Sequence, residues 1–168
     1  MKALSVQPYW ATSILQKTKT VECRTWKTDY RGDLLICASS GPWWAGSIRK
    51  RALCVVELVD IVPFRRRHLR DARMDQMPDK PSYAWMLGDP LFVEPFEVKG
   101  KLHLFDVDDE LVRPIAPGAS FAEFAERHYK PLMRWSDREV GEDEIRADWD
   151  DWMNRLAKLG RRNGGLDG

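Results

Sequence analysis

Lys19-Thr20-Val21-Glu22-Cys23-Arg24-Thr25-Trp26, then Tyr30-Arg31-Gly32-Asp33 and the apolar run Leu34-Leu35-Ile36-Cys37-Ala38, frame the reading of the whole chain. The run 33–39 is apolar and bounded by turn formers, which predicts a central strand. Just before it, 29–33 reads as a turn and 20–26 as another strand. In extended chain, side chains alternate between faces. Glu22 and Arg24 then share one face, Val21 and Cys23 the other, with Lys19 one step upstream. A carboxylate, a guanidinium and an ammonium so placed either line a polar pocket or form a salt-bridged, solvated face. Spacing alone leaves both open, because exposed ion pairs are common and contribute little.

Outward from that stretch, 8–17 reads as a short helix burying Trp10, Ile14 and Leu15. Ser39-Ser40-Gly41-Pro42 is a break, with Pro42 suited to the first turn of a helix running to Arg49. The segment 52–63 predicts a long strand whose slipping alternation suggests a bulge. Strands are also expected over 82–86, 91–93 and 100–107. After Asp106 helical signals take over. Ser120-x-x-Glu123 forms a capping box, Ser136-x-x-Glu139 a second start signal, and Ile145, Trp149, Trp152, Met153 and Leu156 an amphipathic stripe. Six or so strands with early helices point to an α+β fold built on a small, partly closed β-barrel.

The chain has 168 residues, with 27 Lys+Arg against 26 Asp+Glu for a net charge of +1. One domain with an appendage suits that length, and any basic surface must be local. The densest such cluster is Arg65-Arg66-Arg67-His68-Leu69-Arg70, a loop entering a helix: either a solvated face or a set of phosphate contacts. The three cysteines, Cys23, Cys37 and Cys54, lie in apolar strands without C-x-x-C spacing, which points to buried thiols in a reducing cytoplasm rather than zinc. No apolar run is long enough for a membrane span. No pair among His68, His103 and His128 has metal-ligand spacing, and no cofactor motif is present. The acidic run Asp106, Asp108, Asp109, Glu110 reads as a solvated turn. Most of the eight tryptophans belong to cores or seams; Trp26 and Trp85 are the candidates for stacking on a base.

Three groups of residues, taken in order, resemble a known family. They are Ala3-Leu4-Ser5-Val6-Gln7-Pro8-Tyr9-Trp10-Ala11; Lys19-x-x-Glu22-x-Arg24-Thr25-Trp26 with Tyr30-Arg31-Gly32-Asp33-Leu34-Leu35-Ile36-Cys37-Ala38-Ser39; and Tyr83-Ala84-Trp85, Glu94-Pro95-Phe96 and 98–105. Together they resemble the ASCH domain of the PUA-like superfamily. The resemblance implies a PUA-like barrel over 1–107 with a cleft lined by the Lys-x-x-Glu-x-Arg strand, leaving 108–160 as a helical extension and 161–168 as a disordered tail. It departs from the family at Thr18, where glycine is frequent. PUA-like relatives hold nucleic acid or a single modified base in this cleft, so RNA or a modified nucleoside is the expected ligand.

One family branch hydrolyses N4-acetylcytidine, and another has been described as a ribonuclease. The amidohydrolase pattern uses a lysine, a hydroxyl residue three positions on, and a distant glutamate. Lys19 matches the lysine, whereas Glu22 stands where the hydroxyl belongs, and a carboxylate substitutes poorly for an alcohol nucleophile. Three alternatives therefore stay open: a hydrolase in which Glu22 activates water while Lys19 and Arg24 stabilise an anion, a reader without chemistry, and a protein-interaction module using the C-terminal helices. The candidate chemical residues are Lys19, Glu22 and Arg24. The candidate ligand contacts are Trp10, Trp26, Tyr30, Arg31, Ser39 and Trp85. The candidate backbone contacts are Arg65, Arg66, Arg67 and Arg70.

Overall fold

A computed structural model of the chain describes residues 1–41, 48–116, 118–133, 150, 151 and 154. The elements used below are, in order, β1 (Lys2–Val6), α1 (Pro8–Leu15), β2 (Val21–Arg24), β3 (Gly32–Ala38), β4 (Arg51–Pro63), α2 (Leu69–Ala72), β5 (Tyr83–Leu87), β6 (Leu91–Glu97), β7 (Phe105–Asp106) and α3 (Phe121–Phe124). The class is α+β.

The apolar run is central for a physical reason. Leu34 to Ala38 are at most 2% exposed, which requires cover on both faces of β3. Leu34 and Ile36 point into one cluster with Leu4, Ile14, Val56 and Trp85. Leu35 and Cys37 point into another with Ala3, Val55 and Val93. β3 pairs parallel to β1 and antiparallel to β4. β4 is long enough to serve three partners. Its Leu58 faces Gly32 of β3 and Leu87 of β5, while Cys54 faces Ile36 and Phe92 of β6. Thus β5 and β6 lie end to end along the edge opposite β3. The slipping alternation read in this segment corresponds to register shifts between Ala52 and Cys54 and between Leu58 and Asp60.

The expected barrel is not found. Strand order runs β2-β5-β4-β3-β1-β7, with β6 off the path on β4, and among the described residues no pairing joins β2 to β7. The expected strand over 100–107 shrinks to Phe105–Asp106, both spent on β1. A two-residue strand leaves nothing to pair with the far edge, so the sheet stays open.

α1 begins with Pro8 in its first turn and ends at Leu15; two residues on, Lys17 has a left-handed φ of 60°. The positive φ thus falls on Lys17, one residue before Thr18. Ser13 O accepts from the backbone N–H groups of Thr18 and Lys19 (2.9 and 3.0 Å) and from the Thr18 hydroxyl, turning the chain into β2. Ser120 and Glu123 cap α3 reciprocally, as the sequence predicts. From α3 the chain runs through a π turn, Ala125–Tyr129, that sends Phe124 and Tyr129 into the core beside α1. The Tyr129 hydroxyl meets Thr12 Oγ1. The helix expected over 42–49 and those expected beyond 133, with Trp43, Trp44, Trp135, Trp149, Trp152 and the tail 161–168, lie wholly or largely outside the described residues. Among the described residues no helix is long and apolar enough to cross a membrane.

Candidate functional site

β2 carries the ionisable triplet into the fold as its alternation predicts. Val21 is sealed in a cluster with Phe64, Ala72 and Ala84, so Glu22 faces the other way. Glu22 Oε2 lies 3.3 Å from Lys19 Nζ and Oε1 3.0 Å from Arg24 Nε. The Lys19 and Glu22 side chains are 3% and 8% exposed. This is a buried ion triplet, not a solvated face.

Each cation has a second anchor. Lys19 Nζ donates to Ala72 O, the last carbonyl of α2, at 2.8 Å, and sits 4.8 Å from the centre of the Trp10 ring. Arg24 Nη2 donates to Ser5 O at 2.7 Å. β7 pairs with β1 only at Lys2 and Ala3, so the guanidinium takes a carbonyl beyond the end of that ladder. Arg24 Nε approaches Glu22 closely without hydrogen-bond alignment, leaving that N–H unpartnered. Burial holds the Lys19 ammonium below the ordinary lysine range, opposed by the neighbouring Glu22 carboxylate. Desolvation wins because the amine is in a low-dielectric setting.

Above this triplet opens a cleft of about 1110 Å³, with Glu22, Arg24 and Trp10 among its lining residues. That volume is slightly above the roughly 300–1,000 Å³ usual for small-molecule sites. Lys19 lies beneath Trp10 and is not part of the lining. The Ser39 side chain borders the cleft and donates to Gly41 O at 2.8 Å. The Ser5 hydroxyl is buried with no hydrogen-bond partner.

The other candidates are elsewhere. Trp85 is fully buried; its ring meets Trp26 edge-on at 4.7 Å, and its Nε1 donates to Trp26 O at 3.2 Å. Trp26 is half-buried between Trp85 and His103, 4.9 Å away. Neither tryptophan lines the cleft. The Tyr30 hydroxyl donates to Asp33 O, and Arg31 pairs with Asp60 at 3.1 Å while donating to Thr28 O and Tyr30 O. Tyr30 bonds within its own loop and Arg31 also reaches across to β4, and neither lines the cleft. Arg65, Arg66, Arg67 and Arg70 are exposed on the segment leading into and along α2, which packs on β2 behind the cleft floor. In the acidic run, Asp106 pairs with Lys2, Asp109 with the N-terminal amine, and Asp108 caps the turn at Glu110.

Alternation puts Lys99 and Lys101 on the same side of the chain, but nothing in the sequence pattern brings them together with Ser5, Gln7 and Lys50, and all five line the cleft. The tripeptide Arg49-Lys50-Arg51 was the available signal for Lys50. Its flanking arginines are engaged, Arg49 with Ser40 O and Arg51 with Glu97.

The described residues form an α+β protein whose open sheet carries a Lys-x-x-Glu-x-Arg floor under a cleft. The sequence places it further: residues 4–101 match the ASCH domain, so the chain belongs to the ASCH domain family, one generally associated with RNA binding. Among solved structures it is similar to ASCH from Zymomonas mobilis, at 15% identity over 86% of this chain and 90% of that one, with a TM-score of 0.45. Two single-substitution variants of the same protein match at 16% and 14% identity. They cover 89% of this chain in each case and 96% and 94% of theirs, with TM-scores of 0.42 and 0.44. No relative is found among curated proteins.

Proposed function

We propose that the cleft binds a nucleotide of RNA, reading one base on its floor. The observation that carries this is the pairing of a buried acceptor, Glu22, with a mostly buried donor, Arg24, under an aromatic wall, Trp10. A carboxylate accepts from an exocyclic amine or ring N–H, a guanidinium donates to a ring nitrogen or carbonyl, and an aromatic face stacks. Lys19 holds Glu22 in place from below, and Ser39 is a further contact at the wall. The exposed arginines at 65, 66, 67 and 70 suit the phosphates of a longer strand. Trp26 and Trp85 support the floor by packing rather than by stacking on ligand.

The test is an anisotropy titration with a fluorescein-labelled random-sequence RNA hexamer. Wild type should saturate. Arg24→Gln and Trp10→Leu should each weaken binding at least tenfold with folding preserved. Absence of saturable binding in wild type would falsify the reading, as would cleft variants that bind like wild type.

A second reading, hydrolysis, is favoured by one feature: Glu22 is fixed from both sides at the cleft floor, a suitable placement for a base that activates water. The substrate would be an N4-acylated cytosine amide or an RNA phosphodiester. Intact-mass analysis of an RNA carrying one N4-acetylcytidine separates the cases. Loss of one acetyl group that vanishes in Glu22→Gln marks an amidohydrolase, Glu22-dependent fragments mark a ribonuclease, and an unchanged mass leaves a reader.

A further inference from the structure

Three lysines that are distant in sequence share the cleft: Lys50 before β4, and Lys99 and Lys101 in the loop after β6. All three are exposed. Among the described residues neither Lys50 nor Lys99 has an ion-pair partner. The cleft also holds Glu97, but that carboxylate is engaged by Arg51 at 2.8 Å. Glu22 and Arg24 largely offset each other. The uncompensated charge of the described lining is therefore positive and sits at the rim.

Two backbone features fix it there. Lys50 has φ of 55°, a left-handed conformation disfavoured for any residue with a Cβ and best suited to glycine. Its N–H donates to Ser39 O at 3.2 Å and its carbonyl accepts from Val98 N at 3.0 Å, so the strained residue ties the end of β3 to the loop bearing the other two lysines. Lys17 and Arg73 share this conformation, but of the three only Lys50 lines the cleft. In that loop, Gly100 presses on Ser5: a Cβ there would lie 2.2 Å from Ser5 Oγ. A side chain at this position would force the Ser5 hydroxyl to turn away or the loop carrying Lys99 and Lys101 to lift.

We propose that Lys50, Lys99 and Lys101 form a phosphate subsite, so that the ligand of this cleft is a phosphorylated nucleotide rather than a free nucleoside. This rests on the base-reading function above and deepens it. Lysine ammoniums are compact charges with three donors, well suited to a non-bridging phosphate oxygen and indifferent to its exact orientation. The phosphate is either the terminal group of a mononucleotide or a diester within a strand.

The experiment uses the labelled random RNA hexamer, with mixed nucleoside 5′-monophosphates, mixed nucleosides and a hexaglutamate peptide as competitors. In wild type the monophosphates should compete at least tenfold better than the nucleosides. RNA displaced only by further RNA would assign the site to a diester. Replacing Lys50, Lys99 and Lys101 together by Gln should cost at least tenfold in RNA affinity and lower the slope of log K against log[salt] by about 0.7 for each phosphate no longer neutralised. Gly100→Ala keeps every charge but lifts the loop, and should also weaken RNA. Lys50→Gly should raise the melting temperature while weakening RNA, a pairing that a purely structural role does not produce.

The inference is overturned if the triple Gln variant keeps wild-type affinity and salt slope, if nucleosides and monophosphates both displace RNA and do so equally well, or if hexaglutamate competes equally. RNA binding that survives the triple variant but not Arg24→Gln removes the subsite and leaves the base-reading function. No binding in wild type removes both.

Discussion

Two sets of ion pairs in this molecule are built from the same chemical groups at nearly the same separations. On the cleft floor, Glu22 lies 3.3 Å from Lys19 and 3.0 Å from Arg24. On the outside of the sheet, Arg31 lies 3.1 Å from Asp60. They differ in water. The Lys19 and Glu22 side chains are 3% and 8% exposed, those of Arg31 and Asp60 37% and 56%. Arg31 was a candidate from residue type as much as Lys19, Glu22 and Arg24, yet only the buried set lies at a cleft. A charge held out of water must be paired and hydrogen-bonded, so its neighbours become parts of one fixed arrangement: Ala72 O, Ser5 O and the Trp10 ring. A charge in water imposes no such demand.

The largest effect should come from breaking the buried set. Glu22→Ala leaves Lys19 and the inner edge of Arg24 without their counter-charge, at a cost of about 3–5 kcal/mol, read from denaturant unfolding. A loss no greater than a typical surface substitution would show that water reaches Lys19 and would remove the distinction. Replacing both members, Lys19→Met with Glu22→Met, should recover a large part of that loss, because apolar side chains of similar volume often substitute for a buried pair without cost. The coupling between the two single changes should fall in the range of about 0.5–3 kcal/mol found for contacting residues.

The buried set was legible because its logic is local. Alternation placed Glu22 and Arg24 on one face, and the apolar run 34–38 placed the neighbouring strand in the core. The match over residues 4–101 covers these same words. The rim was not legible because it is assembled by pairing. Lys50 reaches the cleft only because β4 returns along β3, and Lys99 and Lys101 only because Gly100 settles on Ser5. Nor did residue type tell Trp10, half-buried at the cleft, from Trp85, fully buried beneath Trp26. Large aromatics serve cores and stacking walls alike. The barrel failed as an expectation for a related reason: apolarity along 100–107 gave a strand pattern, but the loop bends to serve the cleft and leaves two residues for pairing.

pH gives a smaller and signed effect. The Lys19 pKa lies below its ordinary 10.5 in the folded protein because of burial. In the interval below 10.5 the unfolded chain binds the proton more tightly, so this residue makes stability rise with pH there. Cys37 acts in the opposite sense. Burial pushes its thiol from 9.0 up to about 12, so the unfolded chain loses the proton first, and stability falls as pH rises from 9.0 towards 12. Unfolding free energies measured from pH 8 to 11 should therefore diverge between variants. Lys19→Met should decline more steeply with pH than wild type, and Cys37→Ala less steeply. Parallel curves for wild type and Lys19→Met would mean that the amine titrates as if solvated.

The smallest effect belongs to the exposed pair. Arg31→Gln should leave the unfolding midpoint unmoved within experimental scatter and RNA affinity unchanged, since Arg31 touches Thr28, Tyr30 and Asp60 and no part of the cleft. It should not even release Asp60. That carboxyl is held below its ordinary value first by the Ile61 backbone N–H, which donates to it at 2.8 Å, and only then by the guanidinium. The folded pKa is depressed, so the stabilisation is present above the ordinary carboxyl value of 3.8 and lost as pH falls through the lowered one. An NMR titration of the Asp60 carboxyl in Arg31→Gln should keep most of the depression. If the pKa returned to its ordinary value, Arg31 would be the main partner of Asp60, and exposure alone would no longer separate the two sets of ion pairs.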